Sequence, residues 1–180
     1  MMKMLAFALS AALSAASAPP AAAQDMAMPQ GAPVCPRDAE PIPATLAAWA
    51  DRKPLTAATD EATLGTAVLA PGTAIDLALA ETPAVTYLVR PSHPGGSVSH
   101  GGMLRFTIAS AGTYRVAIGS GAWLDVVAEA ASLESVGHGH GPNCSGIRKM
   151  VDFALKPGSY VLQIAGNGEA HLPVLIARLD

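Results

Sequence analysis

Short segments with alternating apolar residues follow one another along most of the chain, and this pattern constrains the fold more than any other feature. In one of them, Leu104, Phe106 and Ile108 fall on one face, while Arg105 and Thr107 fall on the other. A period of two residues is typical of a β-strand with one buried face. Gly, Pro, Ser or Asn separates most of the segments, as turns require. The segments are TAVLA, AIDLALA, VTYLVR, MLRFTIA, TYRVAIG, AWLDVVA, IRKMVDFAL, SYVLQIA and PVLIARL.

Many short strands of this kind predict an all-β fold, an antiparallel Greek-key or jelly-roll-like β-sandwich. One short helix is predicted ahead of them, in PATLAAWADRKP. Leu46 and Trp49 share a helical face there, and Pro54 ends the helix. We therefore expect a single β-sandwich domain over residues 46–180, with this helix at its N-terminal end.

Two segments of the chain resemble each other. FTIASAGTYRVAIGSG (106–121) and FALKPGSYVLQIAGNG (153–168) both place a glycine and a hydroxyl residue before a tyrosine. The glycine is expected to form a tight turn, and Tyr114 and Tyr160 to bury their rings with the hydroxyl bonded to backbone at the corner. LKPGSYVLQI also resembles the penultimate hairpin of many Greek-key sandwiches, including the pre-peptidase C-terminal domains of secreted bacterial proteins. That resemblance implies an architecture and no chemistry.

The N-terminus has the pattern of a secretory signal peptide over residues 1–23. Lys3 is followed by an apolar run too short to span a bilayer, and AAAQD predicts cleavage after Ala23. Residues 24–45 are rich in Pro, Ala and Met without periodicity, and we interpret them as an extended arm. The mature protein is therefore expected to be periplasmic or secreted, and not bound to the membrane once the signal is cleaved.

The chain has two cysteines, Cys35 and Cys144. In a protein bound for an oxidising compartment, a disulfide between them is the expected state. The alternative is a free Cys144 thiolate that binds a metal beside the neighbouring histidines, which would leave Cys35 without a partner.

Four histidines lie in two glycine-rich segments. His138 and His140 are two residues apart, so that on a strand they would project to one face. His93 and His100 lie in RPSHPGGSVSHGG. If the two segments meet at one end of the sandwich, three or four imidazoles would form a site suited to copper or zinc. The alternative interpretation is that both segments are ordinary solvated loops.

A broader resemblance covers residues 91–127 and 138–167. These segments are similar to a family of small exported bacterial proteins that often carry the label "homogentisate 1,2-dioxygenase". The label implies a non-haem iron ring-cleaving enzyme. Enzymes of that activity are larger cupins, in which a Glu follows the His-x-His pair, whereas here Cys144 stands four residues after His140. The resemblance therefore carries no catalytic residue to this chain.

Composition gives little support to some classes of function. The formal net charge is -3, and the eleven Lys and Arg residues are scattered, so no basic patch suggests nucleic-acid binding. Three hypotheses remain. We prefer an exported, non-catalytic β-sandwich that binds a small ligand or metal ion at its histidine- and glycine-rich loops. The others are an iron-dependent ring-cleaving dioxygenase, and an envelope interaction or structural module with no small-molecule site.

Overall fold

The computed structural model describes Cys35 and residues 40–179. The predicted signal peptide (1–23), its cleavage site and most of the predicted arm (24–45) lie outside the described residues. Within the described part of the chain, no helix is long and apolar enough to cross a membrane.

The described residues form two β-sheets. Hydrogen bonds order one sheet as β1-β2-β11-β5-β9-β8 and the other as β3-β4-β10-β6-β7. The elements are the 3-10 helices η1 (Ala44–Ala50) and η2 (Thr82–Ala84) and the strands β1 (Arg52–Thr56), β2 (Ala74–Ala78), β3 (Ala80–Glu81), β4 (His100–Ile108), β5 (Gly112–Ile118), β6 (Trp123–Ala128), β7 (Ala131–Ser132), β8 (Gly137–Gly139), β9 (Lys149–Leu155), β10 (Gly158–Asn167) and β11 (His171–Arg178).

Strands that follow one another in the chain mostly lie in opposite sheets. β4, β6 and β10 belong to the five-stranded sheet, whereas β5, β9 and β11 belong to the six-stranded sheet. β1 and β2 pair in parallel, and the long central strands pair antiparallel. Such crossing between two antiparallel sheets is typical of Greek-key and jelly-roll sandwiches. The predicted all-β sandwich is confirmed.

The main core consists of apolar side chains from both sheets. Leu104, Phe106 and Ile108 are buried, and Arg105 and Thr107 between them are exposed, so the predicted alternation in β4 is confirmed. Burial of each large apolar side chain stabilises the fold by about 1.5–3 kcal/mol.

The two mutually similar segments have the same local structure. The Tyr114 hydroxyl donates to the Ser110 carbonyl, and the Tyr160 hydroxyl donates to the Lys156 carbonyl, each at 2.9 Å. Both rings are buried, so the predicted corner role is confirmed. The strands on either side of each turn lie in opposite sheets. Each segment is therefore an arch between the sheets rather than the hairpin that the resemblance implied.

The predicted helix is present as η1, which ends earlier than its sequence pattern suggests. Leu46 and Trp49 are buried on one side of it, as predicted. The next residues form β1 instead of a further helical turn, because their backbone pairs with β2. Pro54 has no backbone N–H to donate, and it is tolerated because β1 is an edge strand.

Two predicted strands are not strands. The segment 66–70 makes only an isolated bridge from Val68 to Arg105. The segment 85–90 lies beside β10, where the side chain of Gln163 takes the place of a pairing strand. Its amide oxygen accepts the N–H groups of Leu88 and Val89 at 2.9 and 3.1 Å, and its nitrogen donates to the Val89 carbonyl at 2.9 Å. The consecutive residues Tyr87, Leu88 and Val89 all pack against the core, so the apolar residues of this segment reflect burial and not strand pairing.

Tyr87 in this segment is expected to make stability depend on alkaline pH. Its half-buried hydroxyl donates to the Ile164 carbonyl at 2.8 Å, and desolvation raises its pKa from 10.0 to about 12. Because the folded-state pKa lies above that of the unfolded chain, this contribution is fully present below about pH 10 and is lost as the pH rises toward about 12. Urea denaturation of wild type and Tyr87→Phe across this range tests it. The difference in free energy of unfolding between wild type and Tyr87→Phe should narrow as the pH rises. A difference that stays constant over this range would refute the role of the Tyr87 hydroxyl.

Candidate functional site

The loop between β8 and β9, residues 140–148, is tied to the rest of the protein at several points. The predicted disulfide between Cys35 and Cys144 is present, with Cα atoms 5.7 Å apart. The Trp49 indole N–H donates to the Ser145 carbonyl at 2.9 Å, and Ile147 is buried with Trp49 in a second apolar cluster. Anchoring of this kind lowers the entropy cost of holding nearby side chains in position.

Two glycines of this loop allow backbone features that other residues would strain. Gly146 has φ +77°, a left-handed conformation that glycine adopts at little cost. Gly141 approaches Ile147 so closely that a Cβ would lie 2.7 Å from the Ile147 carbonyl oxygen. Cys144 also has a positive φ, +64°, although it is not a glycine.

A cleft of about 620 Å³ opens where neighbouring edges of the two sheets part, and we call it the edge cleft. β7 pairs only with Val127 and Ala128, so the start of β6 faces this opening without a neighbouring strand on that side among the described residues. The residues that line the edge cleft are Gly121, Trp123, Leu124, Asp125, Leu133, Ser135, His138, Gly139, His140, Arg148, Lys149, Val151 and Phe153.

His138 and His140 both line the edge cleft. His138 lies in β8 opposite Val151, and both histidines are exposed. The His140 Nδ1 lies 2.9 Å from the Arg148 carbonyl oxygen. A carbonyl can only accept, so in this hydrogen bond Nδ1 carries the proton, which leaves Nε2 of the neutral ring as an acceptor.

The other two histidines are placed differently. The His93 ring lies against Trp123, with centroids 4.3 Å apart, so the loop before β4 reaches a residue of the edge cleft. His100 is at the start of β4, opposite Asn167 of β10, and does not line the edge cleft. Its Nδ1 is buried without a hydrogen-bond partner among the described residues.

The proposed cluster of three or four imidazoles is not assembled. The described residues contain no group of three or more His, Cys, Asp or Glu side chains arranged to hold a metal ion. His138 and His140 line the edge cleft. His93 lies against Trp123, and His100 lies elsewhere on the five-stranded sheet. Copper or zinc binding at these histidines stays a prediction.

Lys149 links the two sheets across the edge cleft. Its ammonium donates to the Ala122 carbonyl at 3.0 Å and lies 5.4 Å from the centre of the Trp123 ring. The Trp123 indole N–H in turn donates to Asp125 at 2.9 Å.

Desolvation raises the pKa of Asp125, opposed by the Trp123 hydrogen bond and by the charge of Lys149. Desolvation also lowers the pKa of Lys149, opposed by the charge of Asp125.

The chain matches no protein-family model. No curated protein matches it either. Among solved structures, it is similar to the pre-peptidase C-terminal domain of a collagenase from Bacillus anthracis. The identity is 19%, the match covers 61% of this chain and 92% of that chain, and the TM-score is 0.39. This neighbour is of the class that LKPGSYVLQI resembles, and the likeness concerns the fold alone. The homogentisate 1,2-dioxygenase label finds no support in these comparisons.

Three residues of the edge cleft were not recognised as candidate site residues in the sequence. Lys149 was only one of the scattered cations. A weak signal was present, since Trp123 and Asp125 have the same two-residue spacing as the histidine pair. Nothing in the sequence connected them to Lys149, which lies on a different sheet.

Proposed function

We propose that this protein is an exported, non-catalytic β-sandwich that binds a small ligand in the edge cleft. The observation that carries the proposal is the composition of that cleft. Its volume lies in the range of known ligand pockets, and it combines apolar side chains with a few polar groups. The disulfide supports export, because such bonds persist in oxidising compartments.

The carboxylates beside the edge cleft support binding over catalysis. Asp125 accepts the hydrogen bond of the Trp123 indole. Asp152, opposite Gly137 of β8, is held by Arg115 through two hydrogen bonds of 2.8 Å. Both carboxylates thus have structural partners. A ring-cleaving iron enzyme would need two histidines and a carboxylate at one point.

The exposed apolar side chains favour a small-molecule site over a protein-interaction surface. In the described part of the chain, the large exposed hydrophobic residues are Val68, Val98 and Val136. Val68 bridges to the middle of β4, Val98 precedes β4 and Val136 precedes β8. They lie on separate segments, whereas a docking face for another protein is usually a contiguous patch.

A fragment screen by protein-observed NMR tests this function. Fragments are expected to shift the indole N–H signal of Trp123 and the backbone signals of Leu124 and Gly139. Ser135→Phe should weaken these fragments by about tenfold, because a ring at this lining residue competes for the space and each 1.4 kcal/mol is tenfold in affinity.

Ser132→Phe is the matched control. Ser132 is an exposed serine of β7 outside the cleft lining, so its ring should leave fragment binding unchanged. The proposal fails if no fragment shifts the cleft signals at millimolar concentration, or if both phenylalanine variants act alike.

A further inference from the structure

We propose that the ligand of the edge cleft is a small apolar acid with a single carboxylate. The inference rests on the proposed function and names the chemical class of its ligand. The carboxylate would bind at Lys149, and the apolar body would lie on the floor of the cleft.

The first argument is the unused hydrogen-bonding capacity of Lys149. A lysine ammonium carries three donors. One goes to the Ala122 carbonyl, and the ammonium also lies over the Trp123 ring. The side chain is partly buried, so water replaces the remaining bonds less well than it would at an exposed lysine. An anionic ligand oxygen supplies what this cation lacks.

The second argument is the balance of charge around the cleft. Arg148 and Lys149 are the cations among the lining residues, and Asp125 is the carboxylate. Neither cation forms an ion pair within the described residues. Two cations and one carboxylate leave the lining with a formal excess of one positive charge, which favours a ligand with one negative charge. By contrast, the guanidinium of Arg115 forms an ion pair with Asp152.

The third argument is the floor of the cleft. Leu124, Val151 and Phe153 line it and are each less than a tenth exposed, so they present fixed apolar surface. The Trp123 ring is already contacted by His93 and by Lys149, and it is not a free platform for stacking a sugar. An apolar floor beside an ammonium that forms no close ion pair fits an amphiphilic anion.

Three probes of similar length and one short anion test the charge and the apolar body separately in wild-type protein. They are hexanoate, the neutral hexanamide, the cationic hexylammonium and the short anion acetate. Hexanoate is expected to bind about tenfold or more tightly than hexanamide, as a hydrogen bond to a charged group predicts. Acetate should also bind at least about tenfold more weakly, since it lacks four buried methylene groups. Binding is measured from NMR shifts of the Trp123 indole and cleft backbone signals.

Two further measurements locate the charge. Lys149→Met keeps the length of the side chain and should remove the preference for hexanoate over hexanamide. Lys156→Met is the control, because Lys156 is exposed in the β9–β10 turn and does not line the cleft. If Lys149→Met does not fold, salt titration of wild type serves instead: added salt should weaken hexanoate and leave hexanamide unchanged, because ions screen the attraction.

The possible failures are distinguishable. If hexanamide or hexylammonium shifts the cleft signals at the same or lower concentration than hexanoate, the carboxylate proposal is overturned while ligand binding in the edge cleft stands. The carboxylate proposal is also overturned if Lys149→Met retains the full preference. If neither these probes nor any fragment shifts the cleft signals, both the carboxylate proposal and the proposed function fail.

Discussion

Replacing Cys35 and Cys144 by serine is expected to lower the free energy of unfolding by about 2–5 kcal/mol. The two cysteines are 109 residues apart, and a crosslink over so long a loop removes much of the conformational freedom of the unfolded chain. For this separation, loop entropy sets an upper value of about 5 kcal/mol. Urea denaturation of the oxidised wild type and of Cys35→Ser/Cys144→Ser provides the comparison.

A second double variant separates the crosslink from the backbone at Cys144. Its φ of +64° is costly for a residue with a Cβ and not for glycine. Cys35→Ser/Cys144→Gly should therefore be more stable than the double serine variant by up to about 1 kcal/mol. An unchanged urea midpoint in the serine variant, or two alkylatable thiols in protein from an oxidising compartment, would contradict the disulfide.

Replacing Gln163 by methionine is expected to lower the free energy of unfolding by about 2–5 kcal/mol, because buried backbone groups lose their partners. Gln163 is 1% exposed, and its amide satisfies two N–H groups and one carbonyl of the segment 85–90. Methionine has nearly the same shape and forms none of these bonds. The loss thus reports hydrogen bonding with little change in packing.

Hydrogen exchange gives this prediction a local readout. The amides of Leu88 and Val89 should exchange much faster in Gln163→Met, whereas the Arg105 amide, which donates to the Ala67 carbonyl beside β4, should change only as global stability changes. If the Leu88 and Val89 amides remain equally protected, Gln163 does not hold this segment.

Prediction succeeded where one local cause decides the structure. The alternation around Phe106 predicts a buried face, because successive residues of a strand point to opposite sides. The glycine-tyrosine segments predict corners, because a buried tyrosine needs an acceptor close by.

Prediction failed where pairing depends on a distant partner. β1, β7 and β8 contain little apolar pattern, and they are strands because a neighbouring strand offers backbone groups beside them. The segment 85–90 is the opposite case. Its pattern is that of a strand, but its backbone groups bond to the side chain of Gln163 and not to another strand. Alternation of apolar residues indicates that one face is buried, and it does not indicate which groups form hydrogen bonds with the backbone.

The spacing of apolar residues predicts a sandwich of short strands, and the presence of two cysteines in an exported chain predicts their disulfide. Both predictions depend on a few residues or on a count of cysteines. That the edges of the sheets part beside His138 and His140 is evident from the folded chain alone. Folding also brings Trp123 of one sheet to Lys149 of the other. The reason is physical: a cleft is formed by side chains of strands far apart in the chain, and no local periodicity encodes which strands become neighbours.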